Sequence, residues 1–305
     1  MSGLFGVVSS ERCSEYLLYG TDYHSHLGTQ FGGAAVLGDD FSRQIHNISN
    51  TQFKSKFAED LLAMKGRMGI GVISAFEEQP IYINSKFGPF CIVTDGYLDN
   101  AQELTDELLA DGVTFSEVGN GVVNFTELVA KLITRGDSIT DGIEKMFDLI
   151  DGSICLLILH GDGIYAARDR FGYFSLAIGE NGTGWAVSTE TTAFPNLDFE
   201  LRKFLRPGEI VMLTPNGLRQ ESEGSEHQQT CAFLWIYTGF PASYYEGINV
   251  ETVRERSGRA LARKDTDIEV DVVAGIPDSG TSHAIGYAME SGRPYRRPLV
   301  KYTPG

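Results

Sequence analysis

A pentapeptide near the end of the chain, PDSGT at 277–281, has the composition of a phosphate-binding loop. It follows the apolar run VDVVAGI and precedes the helical pattern SHAIGYAMESG. The backbone amides from Ser279 onward are therefore predicted at the start of a helix, where unpaired N–H groups and the helix dipole attract an anion. Gly280 would let a ligand approach the backbone closely. The loop alone leaves a second interpretation open, in which Asp278 or Ser279 only caps the helix and Gly280 eases a turn.

A second group of reactive side chains lies in the run GTDYHSHLG, where His24 and His26 flank Ser25 and follow Asp22. Two histidines at i and i+2 would face the same side of a strand, where they could bind zinc. A serine beside histidine and aspartate also suggests a catalytic triad. The pattern offers no third metal ligand, so a structural role that orders the loop is the favoured interpretation.

The composition excludes several classes of function. The formal net charge of −16 disfavours binding to nucleic acid or to an anionic membrane, because both depend on Lys and Arg side chains. No apolar run approaches the roughly 18 residues that a membrane span needs, and the N-terminal run MSGLFGVVSSERC lacks the regions of a signal peptide. The four cysteines form no CxxC or secretory pattern, so reduced and mostly buried thiols are expected. A cytoplasmic protein without a nucleic-acid or membrane partner is predicted.

The first two-thirds of the chain is rich in short strand signals bounded by glycine. These signals are LFGVVSS, GGAAVLG, GIGVISAF, PFCIVTDG, SICLLILHGDGIYAARD, SLAIG, GWAVSTE and EIVMLTPNGLRQ. Two helices are predicted among them from apolar residues at helical spacing. The first contains Leu104, Leu108 and Leu109. The second contains Leu128, Val129, Leu132 and Ile133 and is expected to continue toward ITDGIEKMFDLI. This order of elements favours a layered α+β domain.

The run AARDRFGYF adds a predicted turn at a strand end. Arg168, Asp169 and Arg170 are expected to form a salt-bridged turn, with Gly172 at a special backbone angle.

The character of the sequence changes after the polar run ESEGSEHQQT at 221–230, which is typical of a linker. Beyond it, a helical pattern in NVETVRERSGRALARKD is followed by a predicted strand, EVDVVAGI, the PDSGT loop and a second helix. This is the beginning of an α/β unit. A parallel sheet needs several strands with both faces covered, so the unit is predicted to be incomplete.

Two runs in this second segment carry a resemblance to a known family. VVAGIPDSGTSHAIGYAMESGRPYRRPLVKYTP and the upstream CAFLWIYTGFPASYYEGINVETVRERSGRALA resemble the amidophosphoribosyltransferases of purine biosynthesis. The resemblance extends over essentially the whole chain. It implies a four-layer αββα N-terminal-nucleophile domain of the class II glutamine amidotransferase type over 2–230. It also implies the start of an α/β type I phosphoribosyltransferase domain over 231–305.

By this resemblance the PDSGT loop would bind phosphoribosyl pyrophosphate. Ser279 would be a ligand of the Mg²⁺ that this substrate carries, and Asp278, Gly280 and Thr281 would surround the pyrophosphate. The family's later motif of paired aspartates does not occur before Gly305, so the chain is expected to be truncated within the transferase domain and to bind the substrate poorly.

An iron–sulfur cluster is not expected in this chain. Cys231 aligns with a cysteine that ligates such a cluster in some family members. The three other cysteines of that set have no counterpart here, and one thiolate does not hold a cluster that needs four.

The same resemblance indicates a degenerate glutaminase in the first domain. The family uses an N-terminal cysteine whose own α-amine is the base, but here Ser2 stands at that position. An Asn-Gly pair supplies the oxyanion hole, but here Asp95 precedes Gly96 and would repel the developing negative charge. Ile73 stands near the position at which the family has the arginine that binds the substrate carboxylate, and Phe125 stands where the family has the aspartate that binds the amino group.

Three hypotheses for the function follow. The first is an amidophosphoribosyltransferase-like protein that makes 5-phosphoribosylamine from phosphoribosyl pyrophosphate with free ammonia or with ammonia from another subunit, with the family implying a homo-oligomer. The second is a non-catalytic scaffold or regulatory module. The third is an amidohydrolase in which Ser2, exposed by removal of Met1, is an N-terminal nucleophile.

Overall fold

The computed structural model describes residues 2–116, 118–119 and 121–301. The chain divides into two compact units, Met1–Thr230 and Cys231–Gly305. The division falls where the polar run 221–230 ends.

The first unit contains two antiparallel sheets, whose strands come from interleaved parts of the chain. The larger sheet has seven strands. Across it they are β13 (Glu200–Phe204), β11 (Ala177–Glu180), β12 (Gly184–Ser188), β1 (Gly3–Ser9), β4 (Met68–Ser74), β2 (Phe31–Leu37) and β3 (Phe41–Asn47). The other sheet has six strands: β15 (Gly217–Ser222), β14 (Ile210–Thr214), β10 (Gly163–Ala167), β9 (Gly152–His160), β6 (Gly88–Leu98) and β5 (Ile81–Ser85). A separate short pair joins β7 (Val118–Gly119) to β8 (Val122–Val123).

Helices cover the outer face of each sheet. The larger sheet packs against α1 (Ser14–Asp22), α2 (Phe53–Ala63) and α6 (Ala193–Asn196), and the smaller sheet packs against α3 (Ala101–Ala110), α4 (Phe125–Ile133) and α5 (Ile139–Leu149). A third apolar cluster fills the space between the sheets. The predicted four-layer αββα arrangement is therefore confirmed.

Strand β9 shows why these sheets read as continuous apolar runs in the sequence. Leu156 and Ile158 pack toward the helices, whereas Cys155 and Leu157 pack toward the other sheet. Because successive side chains of a strand point to opposite faces and both faces are covered, every residue from Ser153 to Leu159 is buried. Apolar runs of this kind predicted the central strands, whereas the exposed edge strand β3 gave no such signal.

The second predicted helix ends earlier than the sequence suggested. It was expected to continue toward ITDGIEKMFDLI, but α4 ends at Ile133 and that run forms a separate helix, α5. The Ser138 side chain accepts a hydrogen bond from the Asp141 N–H at 3.1 Å and so caps the new helix. Serine is favoured at such a cap because it satisfies an otherwise unpaired N–H group.

The turn after β10 contains an ion pair, in which Arg170 lies 2.9 Å from Asp148, and its backbone is ordered by two buried charges. Asp169 is buried and accepts hydrogen bonds from the backbone N–H groups of Phe171, Tyr173 and Phe174. Arg168 is also buried, and its guanidinium donates to three backbone carbonyl oxygens. These two charges therefore fix the backbone of residues 168–174. The expected special angle at Gly172 is present, with φ of 72°.

The second unit consists mainly of a helical pair. It contains a π-helix (Leu234–Thr238), the short strands β16 (Tyr244–Tyr245) and β17 (Ile248–Asn249), and the helices α7 (Val250–Lys264) and α8 (Gly280–Ser291). The Arg254 side chain of α7 is buried and donates to the backbone carbonyl oxygens of Trp235, Tyr237 and Gly239. This arginine therefore ties α7 to the π-helix.

The predicted strand EVDVVAGI is wrong. In the described residues it forms only an isolated parallel bridge between Val273 and Tyr295. A strand needs a neighbouring strand to pair its backbone groups along its length, and this segment has one point of pairing. Val272 and Ile276 are consequently exposed.

No helix of the described residues is both long and apolar enough to cross a bilayer.

We expect Asp169→Ala to lower the free energy of unfolding by about 2–4 kcal/mol, because three partly buried N–H groups would lose their acceptor. Urea denaturation of the full chain measures this change. Asp39→Ala is the matched control, since Asp39 is exposed, and it should change stability by less than about 0.5 kcal/mol. Equal effects of the two substitutions would contradict the role assigned to Asp169.

Candidate functional site

A cavity of about 580 Å³ opens in the first unit. It lies where the end of β4, the loop before β5, strand β6 and the start of α4 meet. The described residues that line it are Ser2, Gln30, Phe31, Ser74, Phe76, Glu77, Glu78, Gln79, Thr94, Gly96, Val122, Val123, Asn124 and Phe125. The cavity therefore brings together three of the residues selected from the sequence, Ser2, Gly96 and Phe125.

Ser2 is held against Asp95 at this cavity. The backbone N–H of Ser2 donates to Asp95 Oδ1 at 2.6 Å, and both residues are nearly inaccessible, at 6% and 5% exposure. The alternation of β6 explains the position, because Cys91 and Val93 pack between the sheets and Asp95 lies two residues further on the same face.

Asp95 has an environment that is unfavourable for a negative charge. Burial raises the pKa of its carboxyl group to about 6, although the hydrogen bond from Ser2 acts in the opposite direction. As a carboxylate the side chain only accepts hydrogen bonds. It therefore cannot donate to an oxyanion, which is what an amide at this position would do.

Gly96 has a packing role beside the cavity. A Cβ atom at this position would lie 2.1 Å from the backbone oxygen of Ser153 on β9. A side chain is therefore excluded by the neighbouring strand, whether or not the residue takes part in catalysis.

The other polar groups around the cavity are largely bonded to one another. Gln79 accepts from the Thr94 N–H at 2.7 Å and donates to the Thr94 carbonyl at 3.2 Å. The Glu77 carboxylate accepts from the N–H groups of Phe125 and Thr126, and burial raises its pKa. The Thr126 hydroxyl lies 2.6 Å from that of Thr94. This network fixes the part of the cavity wall that these residues form.

Neither Glu77 nor Gln79 was selected from the sequence. The start of α4 gave the only available signal, because its first N–H groups need acceptors. Asn124 satisfies one of them by accepting from the Glu127 N–H at 3.1 Å. The acceptor for the Phe125 N–H is the Glu77 carboxylate, 48 residues away. No local sequence pattern indicates this long-range contact.

The described lining of the cavity contains no cationic side chain that could pair with an amino-acid carboxylate. Its described lining includes the acidic side chains of Glu77 and Glu78 and no arginine or lysine. Ile73, expected near the position of an arginine, packs in the buried cluster beneath α1 and α2. Phe125 does line the cavity, but its ring offers no charge to an ammonium group beyond a cation–π contact.

His24 and His26 do not lie on a strand, contrary to the prediction, because α1 ends at Asp22 and a turn follows. His24 is fully buried, and its Nδ1 donates to the Gly20 carbonyl at 2.9 Å. Its Nε2 lies 3.1 Å from the Ser188 hydroxyl. His26 Nε2 lies 3.0 Å from Glu190 Oε1.

This arrangement gives the two histidines a structural role. Burial lowers the pKa of His24 to about 4, so the ring is neutral near pH 7. Within the part of the chain that the structure describes, no three His, Cys, Asp or Glu side chains gather as they would around a metal ion.

The PDSGT loop lies in the second unit and leads into α8. Ser279 occupies the cap position, but its side chain makes no capping hydrogen bond. The N–H groups of Gly280 and Thr281 donate to the carbonyls of Ile276 and Asp278 at 3.0 and 3.1 Å. Two of the amides expected to be free are therefore used within the turn, and the capping interpretation of Ser279 is not supported either.

Gly280 is not required by the local packing. A Cβ atom there would come no closer than 3.6 Å to a neighbour, which is ordinary contact. The missing side chain thus leaves space beside the loop. Asp278 is exposed, and one of its carboxylate oxygens lies 3.9 Å from Lys301 Nζ.

Comparison with known proteins identifies the family. The amidophosphoribosyltransferase of Methanocaldococcus jannaschii is 32% identical, in an alignment that covers 99% of this chain and 69% of that protein. The amidophosphoribosyltransferase of Bacillus subtilis is 29% identical over 98% of this chain and 64% of its own length. The chain belongs to the amidophosphoribosyltransferase family.

Two further comparisons agree with this membership. A family described as glutamine amidotransferase domain matches residues 65–196. The solved structure of glutamine phosphoribosylpyrophosphate amidotransferase from B. subtilis, complexed with ADP and GMP, superposes with a TM-score of 0.89 at 28% identity. That superposition covers 98% of this chain and 66% of the B. subtilis chain. This amidophosphoribosyltransferase-family chain thus spans about two thirds of the length of these relatives.

We predict that the buried, neutral His24 makes this family member less stable in acid. Because the pKa of His24 is about 4 in the folded chain and 6.5 ordinarily, the unfolded chain takes up the proton first as pH falls. The stabilising contribution is therefore present above pH 6.5 and is lost progressively down to pH 4, by about 3 kcal/mol at most.

Urea unfolding between pH 4 and 7 measures this dependence. His24→Gln should flatten it, whereas His227→Gln, at an exposed histidine, should leave it unchanged. An unchanged dependence in His24→Gln would contradict the neutral state assigned to the buried ring.

Proposed function

We propose that the gene product to which this chain belongs transfers the phosphoribosyl group as its family does, while its first domain does not hydrolyse glutamine. In this function, ammonia displaces pyrophosphate from phosphoribosyl pyrophosphate and forms 5-phosphoribosylamine. The ammonia is either free in solution or supplied by another subunit. The first unit is then retained for its fold and not for hydrolysis.

The contact between Ser2 and Asp95 is the observation that carries this proposal. Glutaminase chemistry requires a nucleophile, a hydrogen-bond donor for the oxyanion and groups that bind the amino acid. Here the backbone N–H of Ser2, the residue that carries the potential nucleophile, donates to the Asp95 carboxylate at 2.6 Å. The cavity that it lines has acidic side chains where a carboxylate-bearing substrate needs a cation.

The loss of one donor is large enough to matter. Removing a single oxyanion donor costs roughly 3–4 kcal/mol of transition-state stabilisation. Replacing that donor by a carboxylate adds repulsion to the loss. A substrate carboxylate without a cationic partner also loses the charge-assisted hydrogen bonds that hold it in place.

The second unit could supply only some of the groups that a transferase site needs. Mg²⁺ is usually bound by one or two protein oxygens together with substrate phosphates. Ser279 and Asp278 could supply these protein oxygens only if the substrate supplies most of the other ligands. When bound, the metal would neutralise the pyrophosphate leaving group. Ser279 and Thr281 would orient that group through their hydroxyls, and Gly280 would leave room for it.

The complete gene product tests the proposal directly. We expect pyrophosphate release from phosphoribosyl pyrophosphate with Mg²⁺ and ammonium chloride, and none above background with glutamine. Ser2→Cys should remain inactive with glutamine, because it restores a nucleophile without an oxyanion donor or a carboxylate partner. Glutamine turnover by the parent chain or by Ser2→Cys alone would contradict the proposal.

The loop assignment has a separate test in the same gene product. We expect Ser279→Ala to raise the KM for phosphoribosyl pyrophosphate about tenfold, which corresponds to about 1.4 kcal/mol. Ser291→Ala is the matched control, since Ser291 is the last residue of the same helix and should leave KM unchanged. Equal KM values for the two variants would contradict the assignment.

A further inference from the structure

One corner of the cavity in the first unit combines acidic and aromatic side chains. Phe76, Glu77 and Glu78 contribute one side of this acidic–aromatic corner, and Phe125 at the start of α4 contributes the other. The Phe76 ring is 77% exposed, and Glu78 is exposed beside it. Val122, which also lines the cavity, is 68% exposed. Exposed apolar side chains grouped around a cavity are typical of a ligand-binding groove.

Hydrogen bonds hold the acidic–aromatic corner in place from both ends. The Ser74 hydroxyl accepts from the N–H groups of Phe76 and Glu77 at 3.4 and 3.2 Å. On the other side, the first N–H group of α4 donates to Glu77 Oε2 at 2.7 Å. The Asn124 side chain donates to the Glu78 carbonyl at 3.0 Å. The backbone of the corner is therefore ordered before a ligand binds, which lowers the entropic cost of binding.

The charge of the corner is negative. Glu77 and Glu78 are the charged side chains of the described cavity lining. The N-terminus of α4 carries the equivalent of about half a positive charge, which a single carboxylate more than offsets. Glu77 also keeps an acceptor position, because among the described residues its Oε2 accepts one hydrogen bond and a carboxylate oxygen can accept about two. The corner therefore favours a cationic donor over an anion.

We propose that this cavity binds a small organic amine in its ammonium form, with an apolar body and without a carboxylate. The ammonium group would donate to the carboxylate of Glu77 and contact the rings of Phe76 and Phe125 through cation–π interactions. Phe31 and Val122 would pack against the apolar body. The cavity volume of about 580 Å³ is that of a small-molecule site. This inference rests on the proposed loss of glutaminase activity and names a ligand class for the same cavity.

The environment of Glu77 distinguishes such an amine from an amino acid. Burial raises the pKa of this carboxyl group, because a charged group loses solvation there. An ammonium ion beside it would stabilise the charged form. Glutamine carries an ammonium group too, but it would bring its own carboxylate into a cavity whose charged described lining is Glu77 and Glu78. An amine without that carboxylate avoids the repulsion.

Isothermal titration of the full chain with phenethylammonium chloride tests the inference. The matched probe is 2-phenylethanol, which differs only in having a hydroxyl in place of the ammonium group. We expect saturable binding of phenethylammonium with a Kd below about 1 mM at pH 7, and binding of the alcohol that is at least about tenfold weaker. The absence of saturable phenethylammonium binding, or equal binding of the two probes, would overturn the proposal.

The net charge of −16 attracts any cation, so variants of matched charge locate the binding. Glu78→Gln should weaken phenethylammonium binding about threefold and leave binding of 2-phenylethanol unchanged. Glu59→Gln removes the same charge at an exposed position on α2, outside the described cavity lining, and should change neither. Phe76→Ala should weaken phenethylammonium binding about three- to fivefold. Equal Kd values for Glu78→Gln and Glu59→Gln, or an unchanged Kd in Phe76→Ala, would overturn the assignment to this cavity.

The outcome is separable from that of the proposed function. Amine binding in the cavity together with glutamine hydrolysis by the complete gene product would refute the proposed function and leave the amine site in place. The absence of both amine binding and glutamine hydrolysis would refute the amine site alone.

Discussion

A buried carboxylate on β6, beside the residue that precedes the first strand, is the constraint on which the rest of this site depends. Asp95 is fixed by the alternation of β6 and lies between the two sheets, where it meets the Ser2 nitrogen. A carboxylate in this position accepts hydrogen bonds and repels negative charge. The position that faces a potential nucleophile is therefore suited to a cation and unsuited to an oxyanion.

The scaffold around this position remains well ordered. Asp169 and Arg168 satisfy the backbone of the turn after β10, and Gln79 pairs with both backbone groups of Thr94. Glu77 caps the first turn of α4. These contacts keep the cavity shape independently of any bound substrate.

The sequence predicted the central elements well because their signals are physical and local. The apolar run of β9 requires burial on both faces, and the spacing of Leu128 and Leu132 defines one face of α4. Asp95 beside Gly96 was identified as unusual by the resemblance to the family, which has an Asn-Gly pair there, and not by local pattern. The edge strand β3 and helices α1 and α2 were missed, because exposed or mixed faces weaken the periodicity.

The remaining features depend on contacts that no local pattern encodes. The Ser2–Asp95 bond spans 93 residues, and Glu77 reaches α4 from another loop. The segment EVDVVAGI has strong strand propensity, yet within the described residues it has a single pairing partner, and propensity without neighbours does not make a sheet. His24 was assigned to a strand because i and i+2 spacing was considered without the helix that precedes it.

The central claim is that this cavity does not bind glutamine, and equilibrium binding tests it most directly. Isothermal titration of the complete gene product with glutamine should give no saturable heat, which places any Kd above about 1 mM and the binding free energy above about −4 kcal/mol. Saturable binding at micromolar concentration, lost when bulky side chains replace Ser74 and Thr94 in the cavity wall, would contradict the account.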